Sequence, residues 1–487
     1  MDRLARPSAS ARAMASVTMR SSDSEGLGPR FGRGDPPHSS SRVVGADMLS
    51  ILAETALDEK LRPSYSNLRP TDAVKRKRCP TMRDQTVLIS GASVAGPALA
   101  YWLRRYGYAV TVVERASALR AGGQAIDFKG RTQRTVVERM GMWEEIGERQ
   151  TGRTDMVFVD ADGNRRAELS GEFLGGDVEI LRGDLAEIFH GHTAADCEYL
   201  FGDSITALTD TGHGVHVEFE HAPARTFDLV FGCDGIHSAV RRLAFGPERD
   251  YVDHLGYYYC VAGAPGWGHD PARRTRNTAL AWHAPGRLAI EGGSKASQMY
   301  MFASPELDLD RHDIAAQRRL VAEKFVPLGG RFADMVAELD ALPDFYLDSL
   351  SRVRMKGRCT TGRVALVGDA GYGNTLGGLG TGLAVVGAYV LAGELAAADG
   401  EHTVAFARYD EIMRRYAKLA DNASAGRFLA PRTGWGVRLR NWFVESRAFG
   451  LMLKMTDDAT NDIDLRDYPS ELGYPASDRG SRELLEG

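Results

Sequence analysis

At 487 residues the chain is long enough for two or three domains. Hydrophobic residues make up 43% and charged residues 26%, which is ordinary usage for a soluble chain. The formal net charge of −5 gives no reason to expect a nucleic acid or an anionic membrane as partner.

Residues 1 to 82 are rich in Ser, Arg, Gly and Pro and show little hydrophobic periodicity. Such a composition buries too little apolar surface to offset the entropy of ordering, so this extension is expected to be disordered. Its basic run, Lys75-Arg76-Lys77-Arg78, reads as a solvated linker. The extension is either an Arg- and Ser-rich targeting peptide or the product of a start assigned too early, and Met82, three residues before the first strand, favours the second reading.

An α/β pattern starts at Gln85. Thr86-Val87-Leu88-Ile89-Ser90 is a short apolar, β-branched run, expected to be a buried parallel strand. Gly91 breaks it, Val94 to Tyr106 has helical spacing, and Ala109 to Val113 is a second buried strand, which together make a βαβ unit. The turn reads Gly91-Ala92-Ser93-Val94-Ala95-Gly96, a GxGxxG pattern with Ser93 in the middle glycine position. In that pattern the first glycine permits the tight turn, the middle one lets the backbone approach a pyrophosphate, and the last lets helix and strand pack closely. Glu114 follows the second strand at the distance expected of a ribose ligand, so the unit is predicted to bind a dinucleotide at its helix N-terminus.

The pattern then changes. Val157 to Val159, an Asp162-Gly163 turn and Arg166 to Leu169 predict a hairpin. Phe227 to Gly232 is another strand ending in Asp234-Gly235, with Ser238 and Arg241-Arg242 on the helix after it. Tyr257 to Ser304 holds three strand-like runs, with a Pro285-Gly286 turn between the second and third, and predicts an antiparallel sheet. Arg363 to Val367 returns to a parallel-strand pattern and ends in Gly368-Asp369. A loop, Ala370 to Leu376, leads to Gly377-Gly378-Leu379-Gly380-Thr381-Gly382 and a long apolar stretch. The glycines and Glu394 make that stretch a buried helix rather than a membrane span. A carboxylate at a strand end can accept hydrogen bonds from a polyol, and glycine-rich backbone at a helix start can donate to an electron-rich edge. Thr403 to Leu453 predicts one or two amphipathic helices, whose Trp435, Trp442, Phe443, Phe449 and Leu451 either roof a substrate pocket or, as the favoured reading, pack mostly against the nucleotide domain.

The five cysteines, Cys79, Cys197, Cys233, Cys260 and Cys359, never fall at CxxC spacing, which argues against a disulfide framework or a zinc site and fits a reducing, cytoplasmic setting. HxE…PCxxC, HExxH and GxSxG motifs are absent, so no metal site is expected.

The three motifs, in this order, resemble the single-component FAD-dependent aromatic hydroxylases (group A flavin monooxygenases) of the para-hydroxybenzoate hydroxylase fold. The resemblance spans about residues 84 to 455 and is nearest to actinobacterial antibiotic-pathway hydroxylases and tetracycline-inactivating monooxygenases. Gly122 to Asp127, Leu181 to Leu185 and Ala388 to Leu395 carry that closer similarity.

The resemblance implies an α/β fold: a Rossmann-like FAD-binding domain (83–153, 178–252 and 356–400), an inserted antiparallel substrate sheet (154–177 and 253–355), C-terminal helices (401–455) and a tail (456–487). It implies that Gly91, Ser93, Val94, Ala95 and Gly96 form the dinucleotide turn, that Glu114 holds the adenosine ribose, and that Arg115 lies near the adenosine end. Arg182 would contact the FAD backbone, Asp127 would sit beside the flavin, and Gly368-Asp369 would bind the ribityl chain. Gly378, Leu379, Gly380 and Thr381 would face the ring, and Asp234-Gly235 would serve both FAD and the nicotinamide.

The implied reaction uses NADPH or NADH to reduce FAD, adds dioxygen at flavin C4a, and transfers the distal oxygen to an electron-rich carbon of an aromatic or polyketide-like substrate. Partners are then a small molecule and dioxygen, without nucleic acid or integral membrane association, in a monomer or homodimer. No WxWxIP run marks a halogenase. The family loop after Gly-Asp usually reads Ala-Ala-His and includes a proline, but here it reads Ala370-Gly371-Tyr372 without one. That departure leaves open an FAD-bound, non-redox cyclase or isomerase. Tyr372 is the first candidate for a base that deprotonates a phenol or enol, followed by His283 and the Tyr257-Tyr258-Tyr259 run.

Overall fold

The computed structural model describes residues 85–120, 123–171, 176–263, 277–293, 295–342, 344–378, 380–421, 425–450 and 465–468. The expected disordered extension, Leu379, Leu451 and most of the tail lie outside the described residues.

From its start the chain forms β1 (Thr86–Ser90), α1 (Ala95–Arg105), β2 (Ala109–Glu114), β3 (Ala125–Phe128), α2 (Gly130–Arg139) and α3 (Trp143–Glu148). Then come β4 (Thr154–Val159), β5 (Arg165–Leu169), β6 (Val178–Leu181), α4 (Arg182–Gly191), β7 (Glu198–Phe201), β8 (Ile205–Asp210) and β9 (Val215–Phe219). Next are β10 (Arg225–Phe227), β11 (Leu229–Gly232), α5 (Ala239–Ala244), β12 (Val252–Ala262), β13 (Asn277–Ala284), β14 (Arg287–Glu291) and β15 (Gln298–Ala303). They are followed by α6 (Ile314–Phe325), α7 (Gly330–Leu339), β16 (Phe345–Val353), β17 (Thr360–Thr361), β18 (Val364–Leu366) and α8 (Asp369–Tyr372). The last four helices are α9 (Gly380–Ala397), α10 (His402–Asp421), α11 (Ala425–Leu429) and α12 (Gly434–Val444).

The first sheet has the order β17-β18-β11-β1-β2-β7 and is parallel except at β17. Its inner strands β18, β11, β1 and β2 are buried on both faces, which is why they read as continuous apolar runs. Val87, Ile89, Val110 and Val112 point to the helical side with α1 and α9, while Leu88 and Val113 pack with Val215, Val217 and Phe227 of the small sheet β10-β9-β8. The run expected as one strand from Phe227 is split at Asp228, whose carboxylate accepts from Thr86 N (2.7 Å) and Thr86 Oγ1 (3.0 Å).

The second sheet has the order β16-β12-β15-β14-β13-β4-β5. It contains four strands between residues 252 and 303 where the sequence pattern shows three, and it is not wholly antiparallel, because β4 and β13 run parallel. One face packs on α6 and α7 through Tyr258, Tyr300, Phe302, Phe325 and Met335. The other packs Tyr257, Tyr259, Phe158 and Met301 with Ala430, Val444 and Phe449. The C-terminal aromatics Phe443 and Phe449 therefore join the core of this second sheet, not that of the nucleotide sheet, and Trp435 and Trp442 stay exposed.

α9 is long and apolar enough to span a membrane by length and composition, but it runs through the core of the first unit, and 83% of it is buried. Its single acid, Glu394, is buried and is met by the returning chain. Arg466 Nη1 donates to Glu394 Oε1 at 3.1 Å and Tyr468 Oη donates to the same oxygen at 2.8 Å. The Tyr468 ring lies on Gly393, where a Cβ would come within 2.2 Å of its Cδ2. Tyr389 Oη donates to Arg466 O (3.1 Å). Tyr468→Ala is expected to lower unfolding free energy by about 3 kcal/mol, read as a urea midpoint shift, because it opens a cavity and removes a partner from a buried carboxylate.

Candidate active site

The parallel strands β1, β2, β11 and β18 all point their C-terminal ends to one side, and β1 is the strand at which the order of connection reverses. Ligands of open α/β sheets bind at that switch point. The GxGxxG turn, Glu114, Asp234 and Asp369 all lie at or just beyond these strand ends.

Backbone contact sets the turn. Gly91 has φ +105°, and a Cβ there would stand 2.5 Å from Cys233 O and 3.1 Å from Asp234 Cα. A Cβ on Gly96 would come within 1.9 Å of Gly91 O. α1 begins with neither a side-chain cap nor an acidic residue in its first turn, so its leading N–H groups are left to an anion. Ser93 Oγ accepts from Arg182 Nε at 3.0 Å. Glu114 braces the same turn: Oε2 accepts from Ala92 N and Oε1 from Ala116 N, both at 2.9 Å. A carboxylate has about four acceptor positions, so room remains for a hydroxyl pair. Arg115 beside it is exposed.

Asp234 serves its own helix. Oδ1 accepts from Ser238 Oγ at 2.5 Å, and Oδ2 accepts from Ala239 N (2.7 Å) and Val240 N (3.1 Å). Burial raises its pKa and these bonds oppose the rise. Gly235 next to it has φ +82° and open space around its Cα. The adjoining Arg241 is fully buried and donates through Nη1 to Ala370 O (2.9 Å) and through Nη2 to Ile236 O (2.5 Å), which ties the Asp234 segment to the Gly368-Asp369 turn.

Gly368 has φ +68°, and a Cβ there would touch the Cβ atoms of Ala384 (3.1 Å) and Ala95 (3.2 Å), so β18, α1 and α9 converge on it. Asp369 is solvent-exposed, yet enough protein surrounds it that desolvation raises its pKa, with Arg182 pulling the other way. Gly380 and Thr381 open α9 beside it; a Cβ on Gly380 would lie 3.4 Å from Asp369 Oδ1. Gly378 has φ +79° with nothing within 4 Å of a built Cβ. An uncapped helix start at one end, an accessible acceptor in the middle and an open glycine turn at the other fit the extended shape of FAD.

Asp127 on β3 faces Glu179 on β6, two carboxylates opposed across an antiparallel pair. Lys295, from the β14–β15 connection of the second sheet, reaches both, with Nζ 3.2 Å from Asp127 Oδ2 and 3.3 Å from Glu179 Oε2. Burial, partly offset by Lys295 and reinforced by Glu179, pushes Asp127 up to about 6. The two carboxylates in turn hold Lys295 above the ordinary lysine range despite its burial.

β16 presents Tyr346, which is 39% exposed although burial raises its pKa. Its hydroxyl donates to Asp348 Oδ2 at 2.7 Å, and its ring meets Tyr259 edge-on at 5.8 Å between centroids. The charge of Arg182 works against the burial that raises the pKa of Asp369, Tyr259 and Tyr346. Asp348 also bonds His237 Nε2 (2.9 Å), while His237 Nδ1 bonds Glu248 Oε1 (2.9 Å). Lys295, Tyr346, Asp348 and His237 are the site residues that the motifs do not mark.

The structure corrects the base assignment. The residues after Gly368 form a one-turn helix rather than a loop, which turns Tyr372 into the core. Its hydroxyl lies 3.4 Å from Leu383 O and 3.5 Å from Tyr409 Oη, and a Cβ on Gly387 would strike it, so it acts in packing under α9. Burial raises its pKa well above the usual phenol range. His283 lies beside Phe158, and burial and Arg440 lower its pKa to about 4, so it is neutral. Tyr257 donates to Ala430 O (3.1 Å), and Tyr258 turns to the α6–α7 face, where its hydroxyl accepts from Leu307 N (2.8 Å).

His237 has a raised pKa: burial opposes its charge, but bonds to Asp348 and Glu248 outweigh it. A group of this sign stabilises the fold below the unfolded histidine pKa of about 6.5 and loses that effect as pH rises through its folded value. The difference in unfolding free energy between the parent and His237→Gln is expected to be about 2 kcal/mol at pH 6 and clearly smaller at pH 9, by urea denaturation at both.

A model of the FAD binding domain matches residues 84–253. The chain is 37% identical over 339 residues to a flavin-dependent monooxygenase of Legionella longbeachae, covering 68% of this chain and 85% of that protein. It is 42% identical over 359 residues to an uncharacterized protein of Mycobacterium tuberculosis, covering 70% and 94%. In structure it is similar to the crystal structure of tetracycline destructase Tet(55), with a TM-score of 0.65 at 33% identity, covering 79% of this chain and 99% of that one.

Proposed function

The chain belongs to the FAD-binding, flavin-dependent monooxygenase family, and we propose that it hydroxylates an electron-rich carbon of an aromatic or polyketide-like small molecule. One oxygen atom of dioxygen enters the substrate and the other leaves as water, with NADPH or NADH as the source of two electrons. Bound FAD supplies the redox chemistry. The observation that carries the reading is an accessible Asp369 beside the glycine-opened start of α9, on the same side of the sheet as the Gly91 turn.

In this reading the start of α1, from Ser93 to Gly96, binds the pyrophosphate, and Glu114 holds the adenosine ribose with Arg115 nearby. Asp369 accepts from the ribityl chain and Arg182 steadies the backbone of the cofactor. Gly378, Gly380 and Thr381 would offer backbone N–H groups to the ring, where the positive end of α9 would favour the negative charge of the reduced form. Asp127 stands beside the flavin. Asp234-Gly235 supports the turn from behind. Tyr346 takes the proton from a substrate hydroxyl, and Asp348, held by His237, accepts the tyrosine proton.

The test is purification with bound FAD, followed by a screen of phenolic and enolic ring systems for NADPH oxidation, oxygen uptake and a product heavier by one oxygen. Product without oxygen uptake would establish the cyclase reading instead. Asp369→Ala is expected to lose most bound FAD, seen as loss of the visible flavin absorbance. Tyr346→Phe is expected to keep FAD and to lower turnover about 100-fold, as general-base removal does; unchanged turnover would remove Tyr346 from the mechanism.

A further inference from the structure

We propose that the outer face of α12 docks on an anionic lipid bilayer as a peripheral contact. Trp435 and Trp442 are each 68% exposed and stand seven residues apart, two turns of helix, with the exposed Arg438 between them. Among the described residues the other large exposed apolar side chains, Ile314, Val326, Tyr346 and Val404, are spread over other elements.

The helix cannot turn these rings inward, because its other side is fixed. Val437, Arg440 and Val444 are buried. The Arg440 guanidinium lies 3.5 Å from the Phe158 ring centroid and Nη1 donates to Leu429 O at 3.0 Å. Thr433 caps the helix start, and Glu445 at its end accepts from Arg165 Nη2 and Glu168 N.

Two features choose the occupant. The first is charge. Residues 432–447 contain Arg432, Arg438, Arg440 and Arg447 against Glu445 alone, in a chain of net charge −5, and Arg432, Arg438 and Arg447 are exposed. The net charge of the whole chain hides this patch. The second is area. Two tryptophans at this exposure present roughly 340 Å², against about 800 Å² per partner in a stable protein interface. That is too little for a second copy of the chain. It suits interfacial anchoring, where tryptophan rings seat among headgroups and arginines pair with anionic phosphates.

The test uses the full-length, FAD-loaded protein and vesicles of phosphatidylcholine with or without about one quarter phosphatidylglycerol. Binding by co-sedimentation is expected only to the anionic vesicles and should weaken at high salt. Trp435→Ala/Trp442→Ala is expected to lower it at least about ten-fold and Arg438→Glu several-fold. Both variants should keep the parent's flavin absorbance and circular dichroism, since the altered side chains are exposed. Brominated lipid should quench the tryptophan fluorescence of the parent more than that of the double variant. Equal vesicle binding by the double variant, or none by the parent, overturns the proposal. So does a parent dimer in sedimentation that the double variant converts to monomer, because the face would then belong to a second copy.

Discussion

Between the Cα of Gly91 and the carbonyl of Cys233 there is no room for a methyl group. The same is true between Gly96 and the carbonyl of Gly91. These contacts let β1, α1 and the end of β11 approach closely, and the approach aims the start of α1 at the switch point of the sheet. Gly368 repeats the device where β18 meets Ala95 of α1 and Ala384 of α9. A substitution at any of the three would move a helix start or a strand end, and so displace the groups proposed to hold FAD without altering their chemistry. Buried Arg241 reinforces the arrangement from below by holding the carbonyl of Ala370.

The cleft is bounded by two sheets with different chemistry. The parallel sheet supplies backbone N–H groups, helix ends and one accessible carboxylate, all suited to an anionic, hydroxyl-rich cofactor. The second sheet supplies phenols, and its Tyr346 and Asp348 are hydrogen-bonded in a chain to His237, which follows β11 of the parallel sheet. Lys295 crosses from the second sheet to the separate two-stranded ribbon β3–β6 and bonds both of its opposed carboxylates, Asp127 and Glu179. The second sheet and this ribbon are therefore joined by charge.

What was legible in the sequence follows the range of the interactions. The turn from Gly91 to Gly96, Glu114 and the Gly368-Asp369 strand end are local patterns in which a few neighbours determine the backbone, so they can be read directly. The same holds for the α/β class and for the buried helix after the glycine run. Lys295 meets Asp127 from 168 residues away and His237 meets Asp348 from 111, and no periodicity records such pairings. The parallel β4–β13 pairing is hidden for the same reason, as is the packing of Phe443 and Phe449 on the second sheet. Tyr372 is buried because a single helical turn after Gly368 swings its side chain into the core, and four residues are too few to show a helical period.

Glu394 has a consequence for the order in which the molecule can be made. It lies in the helix whose start borders the flavin cleft, and its partners Arg466 and Tyr468 come more than seventy residues later. A ribosome delivers the first sheet, its glycine turn and α9 well before those partners emerge. Until residue 468 has left the exit tunnel, the nascent nucleotide unit must hold an acid inside an apolar helix with the Arg408 ion pair but without the hydrogen bonds from Arg466 and Tyr468. The unit that begins first is thus among the last to be completed, and its closure is timed by the far end of the polypeptide.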